Sequence, residues 1–255
     1  MSSAPRLAVL LAFGLAVAWL GSLAGLVGLN LSHWADRPVL VLSLVLAAIL
    51  VRTLLQTGLF IVAHDAMHGL LFPGNPRLNR LLGQVFLALY GGLSFLACKR
   101  NHLRHHRHPA SRLDPDFHQG DRRFFAWYRH FMAGYLSVAQ LGCLAAGWLL
   151  LWLLARSMTP TAFTNLLLFV VLPLLLSSLQ LFSVGTYWPH RGPSWGTPEH
   201  CCRSLDWPEW LSLLACFHFG YHLEHHSNPQ LACFELPRLR QAQALVPMGQ
   251  RGRGC

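Results

Sequence analysis

The stretch VLVLSLVLAAILVRTLLQTGLFIVAHDAMHG, Val39 to Gly69, decides the fold class of this 255-residue chain. Its first 25 residues, Val39–Ala63, are apolar apart from Arg52 and a few hydroxyls and amides. That is more than the roughly 20 residues a helix needs to cross the hydrocarbon core of a bilayer. Three more runs have the same character: Leu7–Leu29, Gly134–Ala155, and Phe163–Trp188, the last interrupted only by Pro173. The whole chain is 53% hydrophobic and 12% charged, half the charge of an average soluble domain. These numbers predict an all-α, polytopic membrane protein with four transmembrane helices, folded as a single domain over residues 1–255. The first run is longer than the apolar core of a cleaved signal peptide, so it is read as a span. Gly21 and Gly25 within it form a GxxxG, read as a close-packing face for a neighbouring helix.

The formal charge of +10 invites a nucleic-acid reading, but its placement argues for topology. Arg37 and Arg156 stand in the short loops after the first and third spans. Nearly all other basic residues lie in Arg77–Arg129 and Arg191–Arg253. The positive-inside rule then puts those two segments and both termini in the cytoplasm of a cell whose inner membrane the chain crosses. No basic–aromatic pattern of a nucleic-acid module is present. Leu81–Cys98 is long enough to cross, yet Gly91-Gly92 interrupts it, and crossing would separate Arg77 from Arg104; it is read as a re-entrant or interfacial hairpin. Trp207–Phe217 is too short to span, and Arg122–Phe131 (RRFFAWYRHF) is read as an interfacial anchor. The tail from Gln250 is expected to be disordered. Seven cysteines suggest neither a disulfide framework nor a CxxC metal motif.

The quoted stretch ends on HDAMH, with His64 and His68 one helical turn apart on one face. NHLRHH places His102, His105 and His106 at i, i+3 and i+4, and YHLEHH repeats that spacing with His222, His225 and His226. His190 follows the last span. With the topology above, all four groups emerge on the same side of the membrane. Imidazole suits Fe, Zn, Cu and Ni. Nine rings are too many for one ion and suit two, with four or five nitrogens each. His33, His130 and His200 lack such spacing and are read as surface residues; His108 and His218 lie beside boxes but out of phase. A transporter would place its ligands near the midplane at broken helices, whereas here they gather at helix ends.

Three histidine boxes on four spans resemble the membrane fatty-acid desaturase/hydroxylase superfamily of non-haem di-iron enzymes. More narrowly, HDAMHG, DPDFH (Asp114–His118), GTYWPHR (Gly185–Arg191) and HFGYHLEHHSNP (His218–Pro229) are similar to bacterial β-carotene ketolases of the 4-ketolase type. The resemblance covers residues 50–237. It implies two irons held by the nine histidines, O2 as oxidant, a ferredoxin-type electron donor, and a carotenoid drawn from the membrane. It also implies two hydroxylations at ring carbon 4, then loss of water, taking β-carotene through echinenone to canthaxanthin. Asp65, Asp114, Asp116, His118, His218 and Glu224 stand beside the boxes as candidate supports for the ligand rings. Gln56, Thr57 and Tyr187 are candidates for the substrate passage. Arg52, a charge inside a span, is either functional or reaches for the far interface. Ring 3-hydroxylation and fatty-acyl desaturation use the same metal centre; carbons 3 and 4 differ by about 1.5 Å, one bond length.

Overall fold

A computed structural model describes residues 3–191 and 202–244; the tail from Gln250 and His200 lie outside these. Four long helices match the four apolar runs: α1 (Ser3–Val27), α2 (Pro38–Met67), α6 (Val138–Ala155) and α7 (Ala162–His190). Between α2 and α6 lie α3 (Pro76–Gly91), α4 (Phe95–Arg107) and α5 (Phe124–Tyr135). After α7 come α8 (Glu209–Cys216), α9 (His222–Ser227) and α10 (Leu236–Ala244). The described residues contain no strand.

Local chemistry sets the boundaries. Pro38 opens α2 at a position where its missing N–H costs nothing. Asn75 caps α3 by accepting from the Leu78 N–H, and Ser94 caps α4 by accepting from Ala97. Between α3 and α4 the chain turns by 100°, and Gly92 takes the left-handed conformation (φ 67°) that a side chain would resist. This bend is the interruption expected inside Leu81–Cys98. The third span is shorter than the run Gly134–Ala155. Leu136 is extended, and Ser137 with Gln140 forms a capping box that starts α6 at Val138.

α2 is the central helix, packed against α1, α3 and α7. A single main core runs through Leu59, Ala63, Met67, Leu87, Phe95 and Cys216. α6 by contrast buries only Ala155 among its residues, and leucines along α1, α2 and α6 stand exposed, as suits surface facing lipid rather than water. The GxxxG expectation fails inside the chain: a Cβ added at Gly21 or Gly25 would meet nothing within 4 Å. The aromatic segment of α5 is more than a surface anchor. Trp127 is fully buried and packs on Phe182 and Tyr187, though Phe125 stays exposed.

α7 is regular except for two π turns, Leu167–Val171 and Ser183–Tyr187. Each ends two residues before a proline, Pro173 and Pro189. A proline lacks the N–H for the carbonyl four residues back and crowds it, and the wider turn relieves both. The carbonyl freed by Pro173 belongs to Phe169, and it accepts from Arg52 Nε at 3.0 Å. Arg52 also donates to the Trp19 carbonyl at 2.8 Å and to Ser22 Oγ at 3.0 Å, with its guanidinium over the Trp19 ring. It is wholly buried, so the expected reach to the interface does not occur: the charge ties α1, α2 and α7 together.

Candidate metal centre

The bend at Gly92 folds α4 back beside the end of α2, and α9 brings a third histidine box to the same place. Before α9, Phe217 and His218 take consecutive left-handed conformations (φ 51° and 65°), a strained turn that lets His222 follow closely on α8. His190 arrives from the last residue of α7. The four histidine groups therefore meet at one end of the bundle.

They sort into two sets. His64, His68, His102, His106 and His225 form one, and His105, His190, His222 and His226 the other; within each, one nitrogen per ring lies within 4.8 Å of all the rest. In the first set the Nε2 atoms stand 3.2 Å apart for His64–His225, 2.9 Å for His225–His106, 3.0 Å for His106–His102 and 2.8 Å for His102–His68. In the second the spacings are 2.9 Å for His190–His222, 3.0 Å for His222–His226 and 3.0 Å for His226–His105. The rings of His106 and His226 stack at 4.2 Å and join the two sets.

A neutral imidazole has one N–H, so rings whose Nδ1 holds the proton turn bare lone pairs inward. Such lone pairs repel unless a cation lies between them. Two nitrogens bound to one ion at about 2.1 Å and at right angles stand about 3.0 Å apart. The observed spacings fit that value, and the donors are all imidazole, so the residues fit two transition-metal ions.

Carboxylates fix two of the rings. Asp114 sits 2.9 Å from His105 Nδ1 and also accepts from the backbone N–H groups of Ala110 and Asp116. Burial works to raise its pKa, but His105, the Asp116 N–H and His190 prevail and hold the carboxyl below its ordinary value. Asp65 Oδ1 lies 3.3 Å from His64 Nδ1. The same carboxylate accepts from Cys233, both from its N–H and from its thiol, each at 3.3 Å. Cys233 belongs to no motif, and sequence reading missed it. Its one signal is that it is a cysteine just after the last box.

The other candidates go elsewhere. Asp116 accepts from the Tyr135 hydroxyl at 2.7 Å, and its carbonyl accepts from the Trp127 indole. Burial, opposed by His105, pushes its carboxyl up to about 6. Glu224 is buried but faces away from the rings, bonded to Ser204 and, at 2.8 Å, to Arg240; it pins α9 to α10. His118 stacks on His130, and His218 on Tyr221, so neither supports a ligand ring.

An inner chamber of about 30 Å³ touches the histidines, walled by His64, His102, His105 and His222 together with Tyr135 and Thr186. It shares Phe60, Phe131, Tyr135 and Leu181 with an outer, apolar chamber of about 140 Å³ bounded by α2, α3, α5, α6 and α7. Gly185 lets the Phe219 ring close over the inner chamber; a Cβ there would lie 2.3 Å from it. Gln56 and Thr57 are not in either wall. Gln56 bonds to Trp19 and the Tyr90 carbonyl, and Thr57 to Ser177 and Gln180. Tyr187 packs among Phe124, Trp127 and Phe182. The wall shared by the two chambers is made instead by Phe60 of α2, Phe131 and Tyr135 of α5 and Leu181 of α7.

Residues 38–251 match the fatty acid desaturase family model. The chain belongs to the fatty acid desaturase family of non-haem di-iron membrane enzymes. Within the family it is similar to carotenoid ketolases. It is 41% identical over 197 residues to the β-carotene ketolase of Paracoccus sp. (strain PC1), covering 74% of this chain and 76% of that one. It is 38% identical over 228 residues to the zeaxanthin 4-ketolase of Chlamydomonas reinhardtii, covering 87% of this chain and 48% of the relative. With the β-carotene 4-ketolase 3 of Haematococcus lacustris it shares 36% over 210 residues, 79% of this chain and 64% of the other. The chain thus spans about half to two thirds of the length of these algal relatives. No solved structure matches it significantly.

Proposed function

We propose that the protein is a carotenoid β-ring 4-ketolase that takes β-carotene through echinenone to canthaxanthin. The observation that carries this reading is the apolar outer chamber adjoining a small inner chamber walled by four of the nine histidines. A long hydrocarbon with a cyclic end can enter laterally from lipid and present only that end to the rings. The named activities of the relatives agree with this.

Two iron ions held by the two histidine sets would supply the activation of O2 and the cleavage of an unactivated C–H bond. The chain's own residues do the rest. Asp114 and Asp65 hold the proton on the Nδ1 atoms of His105 and His64, which keeps their Nε2 lone pairs directed at the ions. Phe60, Phe131 and Leu181 shape the throat and exclude water, and Phe219 covers the inner chamber. Each oxidation round consumes one O2, two electrons and two protons, inserts one oxygen at ring carbon 4 and releases one water. After the second round the geminal diol loses a further water to leave the ketone. A ferredoxin-type donor would deliver the electrons from the cytoplasm, where the basic loops, both termini and the histidine end are placed by the positive-inside rule.

Pigment analysis tests the reading. Cells that accumulate β-carotene and express the chain should form the monoketone and then the diketone, identified by absorption and mass. A 3-hydroxylated product without ketone would overturn the regiochemistry, and unchanged carotene with altered fatty-acid unsaturation would move the protein to the desaturases.

A further inference from the structure

A ketolase must oxidise the same carbon twice, so the alcohol made in the first round must stay in place until the second. The inner chamber contains a group suited to hold it. Besides histidines and apolar side chains, its wall includes Cys98, Asp116, Tyr135 and Thr186. Tyr135 already donates its proton to Asp116, and a thiol is a weak donor. Thr186 is different. It is buried, it lies in the same wall as His105 and His222, and among the described residues its hydroxyl makes no hydrogen bond. Ser183 donates to the Leu179 carbonyl, Thr53 to the Ile49 carbonyl at 2.8 Å, and Thr57 to Ser177; Ser212, also buried and without a partner, lies in neither chamber wall. A hydroxyl in a chamber wall that no protein group engages is available to a polar group of a ligand.

Its placement follows from the π turn Ser183–Tyr187, where the wider backbone and Gly185 bring residue 186 into the chamber wall. π turns recur at functional sites for this reason.

We propose that the Thr186 hydroxyl donates a hydrogen bond to the oxygen installed at ring carbon 4 in the first round and retains the alcohol for the second. The inference rests on the 4-ketolase reading and makes Thr186 the residue that sets ketone against alcohol as product. The chemistry balances as in the two rounds above. In the first, the carbon–hydrogen bond is oxidised to carbon–hydroxyl as O2 takes two electrons from the ferredoxin-type donor and two protons. The second repeats this on the same carbon, and the geminal diol loses water. Thr186 contributes no electrons and no net proton; it slows departure of the alcohol between rounds.

The test is the product ratio in β-carotene-accumulating cells. Thr186→Val keeps the shape and removes the hydroxyl. The ratio of 4-hydroxylated to 4-keto carotenoids should rise about 3- to 10-fold, as expected for one lost hydrogen bond. Thr186→Ser, which keeps the donor, should restore the wild-type ratio. A purely structural role would lower total oxidation without moving this ratio. An unchanged ratio in Thr186→Val overturns the proposal. So does a defect confined to carotenoids that already carry a 3-hydroxyl, because the contact would then be to that oxygen. If Thr186→Val does not accumulate in the membrane, Thr186→Ala repeats the measurement. If neither accumulates, competition on the wild type decides: 4-hydroxy-β-carotene offered with β-carotene must be consumed first, and equal or poorer consumption overturns the idea. If wild-type cells form no 4-oxygenated carotenoid, it is the ketolase reading that fails, and the ratio is never reached.

Discussion

At the residue scale, the two aspartates of DPDFH have different jobs despite being two positions apart. Asp114 holds an imidazole, while Asp116 holds the Tyr135 hydroxyl and faces the chamber. Asp114→Asn should therefore lower iron retention by about 10- to 100-fold, the usual cost of losing a carboxylate behind a metal-bound histidine. Asp116→Asn should leave iron content near two per chain and reduce turnover, and Tyr135→Phe should resemble it. Iron analysis on anaerobically purified protein, set beside pigment yield, separates the two; equal iron loss in both variants would count against the distinction. Any one of the nine ring histidines changed to alanine should abolish turnover, whereas His33→Ala, far from either set, should not.

At the element scale, α7 depends on its π turns. A helix advances about 100° per residue, so deleting Val184 to restore α-helical register would swing His190 away from His222 and His226. The second set would lose one of its four rings while the first kept all five. Bound iron should fall from two per chain toward one, and a variant that still holds two would show that His190 is dispensable. Arg52 makes a separate prediction. Arg52→Leu leaves the Phe169 and Trp19 carbonyls buried without its N–H groups, at about 1–3 kcal/mol for each unsatisfied group. Thermal unfolding in detergent should show the loss, and the iron content of the protein that remains folded should be normal, because Arg52 touches neither set.

At the scale of the whole molecule, the histidines are contributed by α2, α4, α7 and α9, so ions held by the two sets would join those helix ends. Without ions, nine rings crowd together with lone pairs opposed. Chelation should consequently destabilise the fold and not merely silence it. One site filled at a thousand times its dissociation constant adds about 4 kcal/mol, which corresponds to roughly 8–16 °C in melting temperature for a chain of this size. Stripping the metal should lower the midpoint by that order, and anaerobic ferrous iron should restore it. An unchanged midpoint would mean that packing alone holds the four ends together.

The sequence alone determined the four spans, the bend within Leu81–Cys98 and the nine histidines, because each of these is written in local spacing: apolar run length, a glycine pair, and i, i+3, i+4 periodicity. It also named Asp65 and Asp114, among six candidate supports standing beside the boxes. Only the tertiary structure decided which rings share an ion. His105 and His106 are adjacent in the chain yet fall in different sets, since successive residues of a helix point about 100° apart and meet different neighbours across the bundle. The same holds for Arg52, whose partners on α1 and α7 are remote in sequence, and for Cys233 behind Asp65. The outer chamber escaped the sequence most completely. Its walls are ordinary phenylalanines, tyrosines and leucines on five helices, and nothing in the local pattern of such residues distinguishes a cavity wall from a packed core.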